Sequence, residues 1–234
     1  MKLGSRVITD ISRPSAEVIE RLLACRSCDI SDVMNRSGTM LGIHATYTPI
    51  ARVAGPAITV AIPAGGINMV KIGIQQSRAG DVMVVSAQGA TTTAMLGGNI
   101  SLGMQRRGIK AFVIDGAVRD ASEIRELQFP TFARAVVAAA ADLGGPLGEV
   151  NVPIACGGVV VNPGDIIVAD EDGIVVVPPA FADEVADAVA ALEAKHEQAR
   201  EILRRGEVTA IDRITEDFVS QGLSIEPSDG KDSP

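Results

Sequence analysis

Tryptophan is absent from the 234-residue chain, tyrosine occurs once, at Tyr47, and phenylalanine five times. This scarcity excludes the stacked aromatic platforms that grip single strands of nucleic acid and the aromatic anchors of hot-spot interfaces. It predicts an aliphatic core. Positive charge is also in short supply: 21 Lys and Arg against 29 Asp and Glu leave a formal charge of −8. A pI near 4.8 follows, which opposes a phosphate-backbone partner, so no nucleic-acid ligand is expected. Hydrophobic residues make up 47% of the chain, yet each apolar run is broken by Gly, Pro or a charge well short of the roughly 20 residues a membrane helix needs. No membrane partner is expected. Three cysteines are too few for a disulfide scaffold and suit a reducing compartment. The opening residues MKLGSRVITDISR carry charges and no apolar export segment, so the expectation is a soluble, cytoplasmic protein.

What is present alternates. Pro14 and SAEVIERLLAC predict a helix with Pro in its first turn, and a second short helix is expected from Asp29 or Ser31 to Arg36. VAGPAITVAI is β-branched and punctuated like strands, NMVKIGIQQS reads as a helix, and GDVMVVSA as a short buried strand. GGNISLGMQRRG, AFVID and RDASEIREL continue as helix, strand and helix. After FPTFARAV the pattern turns to strands alone, GGVVV, IIVAD and IVVVP, separated by the turns NPGD and EDG, and predicts a hairpin meander. Residues 179–207 read as one charged amphipathic helix, which either covers the sheet as a solvated helix or reaches a neighbouring subunit. No repeat or linker divides the chain, so one α/β domain with a mixed sheet is expected over residues 1–226, followed by a disordered polar tail at 227–234.

Cys25-Arg26-Ser27-Cys28 has redox or half-zinc spacing, but Cys156, His44 and His196 stand isolated in the sequence, so these cysteines read as structural. Gly98 and Gly103 match the glycines of a phosphate loop, whereas Met104 and Gln105 occupy the positions where that loop requires Lys and Ser/Thr. A nucleotide site is therefore rejected. A glycine-opened helix start at Gly97, Gly98, Asn99 and Ile100 remains, either as a tight packing turn or as a cap of amide donors for a carboxylate. Asp170-Glu171-Asp172-Gly173 lacks the spaced ligands of a calcium loop and reads as a turn. The strongest local feature is VIDGAVRDASE, residues 113–123. An aliphatic strand ends at Asp115-Gly116, and Arg119 and Asp120 follow at the carboxyl end of a strand, where open α/β sheets bind ligands. One reading is a surface ion pair between Arg119 and Glu123. The other is a site in which Asp120 offers a hard oxygen to a divalent ion and Arg119 a planar fork to a carboxylate.

SDVMNRSG, VAGPAITV, AGDVMVV, GGNISLGMQRRGIKAFVIDGAVRD, FPTFAR and GGVVVNPGDIIVADEDGIVVVP form an ordered series from about Ser31 to Pro178. In it the chain resembles the RraA-like proteins, a group that includes class II 4-hydroxy-4-methyl-2-oxoglutarate and 4-carboxy-4-hydroxy-2-oxoadipate aldolases and the RraA regulators of ribonuclease E. The resemblance implies a single-domain α/β/β/α sandwich, swivelling-domain-like, with a mixed sheet and a long C-terminal helix. It also implies a homotrimer or a dimer of trimers with active sites at subunit boundaries. By position Asp120 matches a metal-ligating Asp, and Arg119 a substrate-binding, catalytic Arg in an R-D-x-x-E pattern completed by Glu123. Gly97, Gly98, Asn99 and Ile100 match a loop whose amides hold substrate oxygens. The implied cofactor is Mg²⁺ or Mn²⁺. The implied reaction is carbon–carbon cleavage of a small 2-oxo acid, by decarboxylation of oxaloacetate or retro-aldol cleavage of a 4-hydroxy-2-oxo dicarboxylate to pyruvate. Two departures stand out. Gly98 replaces a carboxylate found in many aldolases, and His196 replaces a Glu of the C-terminal helix, where imidazole is a candidate base. Because loss of carbon dioxide needs no base, decarboxylation is the more robust expectation. The alternative is a non-catalytic, protein-binding regulator of ribonuclease activity, with which the acidic charge is compatible.

Overall fold

The computed structural model describes residues 4–141, 144–207 and 209–226, so the tail expected to be disordered at 227–234 lies outside the described residues. In chain order the first elements are β1 (Ser5–Val7), α1 (Ala16–Ala24), α2 (Ser27–Val33), β2 (His44–Ala45), β3 (Val53–Ala61) and α3 (Asn68–Gln76). The central ones are β4 (Val82–Ala94), α4 (Gly98–Arg106), β5 (Ala111–Val118), α5 (Ala121–Glu126) and β6 (Thr131–Val136). Five short strands follow, β7 (Gly148–Val150), β8 (Ile154–Cys156), β9 (Val159–Val161), β10 (Ile166–Ala169) and β11 (Ile174–Val177). A 3₁₀ turn at Pro179–Phe181 leads into α6 (Ala182–Arg204), and α7 (Ala210–Ser220) closes the series.

The architecture is mixed α/β with a nine-stranded mixed sheet, a separate two-stranded sheet and a long C-terminal helix. The strands β3, β4, β5 and β6 run parallel side by side, and β2, β7 and β10 join antiparallel. β3 changes partner halfway. Residues 53–56 pair with β10 while 57–61 pair with β4, so one strand belongs to two layers. Pro56 falls at the changeover, and the next amide, Ala57, donates to Asp165 O at 2.8 Å. The β10–β11 hairpin separates two cores. Ile167, Ala169, Ile174 and Val176 face the large cluster around β3 to β6, whereas Ile166, Val168, Val175 and Val177 face a smaller one with Val18, Leu22 and Val185. That alternation is the period of a strand buried on both faces. The first compact unit ends at Ala190 and the second starts at Ala191, within α6.

Several expectations shift in detail. Pro14 precedes the helix, because Ser15 is the N-cap and its hydroxyl accepts from the Val18 amide at 3.4 Å. The second helix starts two residues before the earlier of the expected origins, at Ser27, whose amide and hydroxyl are held by the buried Asp170 carboxylate. The expected meander is corrected. β9 pairs with β8, not β10, through Gly157 and Gly158, both at positive φ, as a two-residue hairpin requires. β4 outruns its expected end, continuing through register shifts past Gln88 and Gly89, both at positive φ. That overhang carries the chain to the site.

Candidate active site

The parallel strands β4 and β5 end side by side, with Ala94 opposite Ala117. Their exits are joined by two backbone bonds, Met95 N to Ala117 O and Arg119 N to Leu96 O, each 2.9 Å. Gly97-Gly98 and Arg119-Asp120 therefore meet across the two crossovers. Asp120 caps α5 with φ 57° and ψ 40°, a left-handed conformation that Asp tolerates better than most side chains. The Gly98 amide donates to Asp120 Oδ2 at 3.1 Å, and Arg119 Nε lies 3.6 Å from the same oxygen.

Carboxylate ends close over both glycines. A Cβ at Gly97 would collide with Asp120 Oδ2 and stand 3.3 Å from Arg119 Nε, and a Cβ at Gly98 would fall inside the Glu123 carboxyl. Two carboxylates and one guanidinium thus share a floor of bare backbone. The Arg119 and Asp120 side chains remain 43% and 39% exposed, open to a ligand. A cavity of about 330 Å³ adjoins them, lined in part by Gly97, Asn99, Ile100, Arg119 and Asp120.

Of the amides from 97 to 100, that of Gly98 is taken by Asp120, and that of Ile100 donates to Gly97 O at 3.1 Å. The Asn99 amide, in the first turn of α4, has no acceptor within the helix. His196 stands on α6 in the second unit, whereas every residue lining the cavity belongs to the first. Among the described residues no cluster of three or more His, Cys, Asp or Glu is placed to hold a metal, so a cation here would draw on one or two carboxylates, within what Mg²⁺ accepts. All three cysteines are free thiols.

By spacing alone Glu123 is an ion-pair partner of Arg119 or the last residue of the R-D-x-x-E pattern. Its place over Gly98 was readable only by asking what fills the space of the missing side chain. The cavity also takes Ile67, Ala140 and Ala141 from segments remote in sequence, which no motif announces.

Behind the site, buried Asp115 on β5 is clamped by the Arg134 guanidinium on β6 and by the Gly157 amide at 3.0 Å. Burial opposes its charge, but Arg134 and the Gly157 and Gly89 amides outweigh it and hold the carboxyl below the ordinary Asp range. Burial, reinforced by the Asp115 charge, pushes the neighbouring Cys156 thiol up to about 12.

The chain belongs to the RraA-like family (Aldolase/RraA), whose profile matches residues 27–176. A relative from Halalkalibacterium halodurans, provisionally named 4-hydroxy-4-methyl-2-oxoglutarate aldolase, is 39% identical over 172 residues, covering 72% of this chain and 80% of that one. A protein of Thermus thermophilus with the same aldolase name is 32% identical over 156 residues, 67% of this chain and 94% of its own. Among solved structures, Streptomyces coelicolor RraAS2, described as an unusual member of the RNase ES inhibitor RraA family, superposes with a TM-score of 0.72 at 30% identity. That match covers 81% of this chain and 99% of RraAS2. The relatives named as aldolases support a lyase, and the RraA neighbour keeps the regulatory alternative in view. Among the described residues no helix is long and apolar enough to cross a membrane.

Proposed function

We propose that the chain is a divalent-metal-dependent carbon–carbon lyase that cleaves a 2-oxo acid to leave pyruvate, by decarboxylation of oxaloacetate, by retro-aldol cleavage of a 4-hydroxy-2-oxo dicarboxylate, or by both. The observation that carries this reading is the meeting of Arg119, Asp120 and Glu123 over the paired glycines 97 and 98 at the carboxyl ends of β4 and β5. Asp120 would hold Mg²⁺ or Mn²⁺, since a hard carboxylate oxygen completed by water and substrate oxygens satisfies either ion. When bound, the cation supplies Lewis-acid polarisation of the 2-oxo group. Arg119 binds the substrate carboxylate and sets a fixed positive charge beside the oxygen that becomes negative as the bond breaks. The Asn99 amide adds a donor to the same end of the substrate. Retro-aldol cleavage needs an acceptor for the hydroxyl proton, and the Glu123 carboxylate occupies the space where a side chain at 98 would stand. Glu123 takes that proton directly or through a water it holds; His196 of a neighbouring subunit is the other candidate base. The assembly proposed is a cytoplasmic trimer or dimer of trimers.

The structural likeness to an RNase ES inhibitor relative and the formal charge of −8 favour a second reading, a non-catalytic regulator that binds a ribonuclease through an acidic surface. Two measurements separate the readings. Exchange of the pyruvate methyl protons with deuterium, and decarboxylation of oxaloacetate, are each followed with and without Mg²⁺ or Mn²⁺, in the parent protein and in Asp120→Ala. The lyase shows cation-dependent turnover in both assays that the variant loses. Equal background rates in the two proteins leave only the regulator.

A further inference from the structure

We propose that the end of the sheet opposite the candidate active site is a docking surface for an acidic peptide segment of another protein, received by Arg78, Arg106, Arg107 and Lys110. The inference goes beyond the lyase reading and does not rest on it. The carboxyl ends of β4 and β5 carry the site, and their amino ends carry this cluster. Two backbone bonds knit the segments that lead into the strands, Gly80 N to Gly108 O at 2.9 Å and Lys110 N to Asp81 O at 2.8 Å. A Cβ at Gly108 would stand 2.8 Å from that of Ala79, and Arg78 and Arg107 each precede one residue of this contact. Arg106 ends α4, and Lys110 lies one residue ahead of β5. All four residues are exposed.

The charge gathered here has no counterpart. A chain of formal charge −8 has carboxylates in excess, and elsewhere it places them on its cations: Arg13, Arg52 and Arg134 each pair with an aspartate. Among the described residues, Arg78, Arg106, Arg107 and Lys110 have no ion-pair partner. Asp81, the carboxylate inside the cluster, is 1% exposed and already bound by Arg13 Nε and Nη2 at 2.8 and 2.9 Å and by the Arg78 amide at 2.6 Å. Cations at the end of α4 complement its dipole, which accounts for Arg106 and Arg107 alone. Arg78 and Lys110 come from other segments, and like charges brought together repel until a partner of opposite sign meets them.

The residue types choose the partner. Three of the four are arginines, whose planar fork takes a carboxylate through two parallel N–H bonds. Neighbouring strands lie about 4.8 Å apart and an extended chain advances about 3.3 Å per residue, so cations at the entries to β4 and β5 reach alternate carboxylates of one extended acidic segment. A nucleic acid would offer phosphates to the same guanidinium groups, but single strands also need aromatic rings for their bases, and neither residues 78–81 nor residues 105–110 include one.

The test measures binding of a fluorescein-labelled decaglutamate peptide to the full chain by fluorescence anisotropy, beside a labelled RNA decamer. Saturable binding of the peptide is expected, weakening as salt is raised. Combining Arg107→Gln with Lys110→Gln is expected to weaken it about tenfold. Combining Arg36→Gln with Lys71→Gln, which removes two exposed cations elsewhere, is expected to leave it unchanged. Absence of saturable binding, an equal loss in the two double variants, or tighter binding of the RNA than of the peptide overturns the proposal. Arg78→Gln lies outside any helix and is expected to weaken binding about threefold, so it decides the matter even if the Arg107→Gln, Lys110→Gln protein fails to fold.

Discussion

Asp115 and Asp120 come from one short stretch of chain and end in opposite circumstances. Asp115 is 8% exposed and each of its oxygens has a partner, Arg134 on one and the Gly157 amide on the other. Asp120 is turned outward by a left-handed backbone and keeps a side chain 39% exposed, with one oxygen engaged by Gly98 and Arg119. The first carboxylate has its charge spent on holding β4, β5, β6 and the β8–β9 turn together. The second has charge to offer a ligand. One strand thus anchors a carboxylate within the sheet and presents another just past its carboxyl end, as preorganised sites require.

The largest effect that would sharpen this contrast comes from Asp120→Ala. Cation-dependent turnover is expected to fall by about 10² to 10³, the scale of losing one charge-stabilising group, with the thermal unfolding midpoint unmoved. Asp115→Ala should do the reverse at first order. Leaving Arg134 without its partner is expected to lower the unfolding free energy by about 3 kcal/mol in urea titration, and a loss of activity without a loss of stability would break the comparison.

A smaller effect is expected at the glycine floor. Gly98→Ala forces the Glu123 carboxyl aside and should reduce retro-aldol kcat by roughly tenfold, since small misplacements of a reacting group are costly. Gly98→Asp combined with Glu123→Ala should recover much of that loss, because one carboxylate then stands where another did. No recovery would remove Glu123 from the reaction.

The smallest effect is in acid. The Asp115 carboxyl titrates below the 3.8 of an unperturbed Asp, so its contribution to stability is complete above that pH and fades as pH falls through the lower folded value. Urea titrations between about pH 5 and pH 2 should show this fall in the parent protein and a shallower one in Asp115→Asn. Identical slopes would show that Asp115 contributes nothing ionisable to the fold.

Much of this molecule was readable from pattern. Three of the four parallel strands, β3, β4 and β5, appear in the sequence as aliphatic runs, whereas β6, with Thr131 and Arg134 among its residues, carries no such signal, and the helices α3, α4 and α5 follow their glycine and polar openings. Arg119, Asp120 and the glycines 97 and 98 stood out because charge and bare backbone at strand ends are unusual. The pairing of β9 with β8 is not legible in the same way. Its Gly157-Gly158 turn lies ahead of the strand, and reading GGVVV as a strand opener hid a two-residue hairpin signal. α7 went unassigned, although its 11 residues form a regular helix.

The amino-acid order by itself determined the aliphatic core, the acidic charge, the alternation of strands and helices, and which residues were able to carry carboxylate and cation chemistry. These depend on local composition and on spacings of a few residues. The tertiary structure alone decided that Glu123 fills the space above Gly98, that Asp115 is spent while Asp120 is open, and that Ile67 and Ala140 wall one cavity. Such facts depend on how distant segments are brought together, and that is set by burying the whole sheet rather than by any one motif.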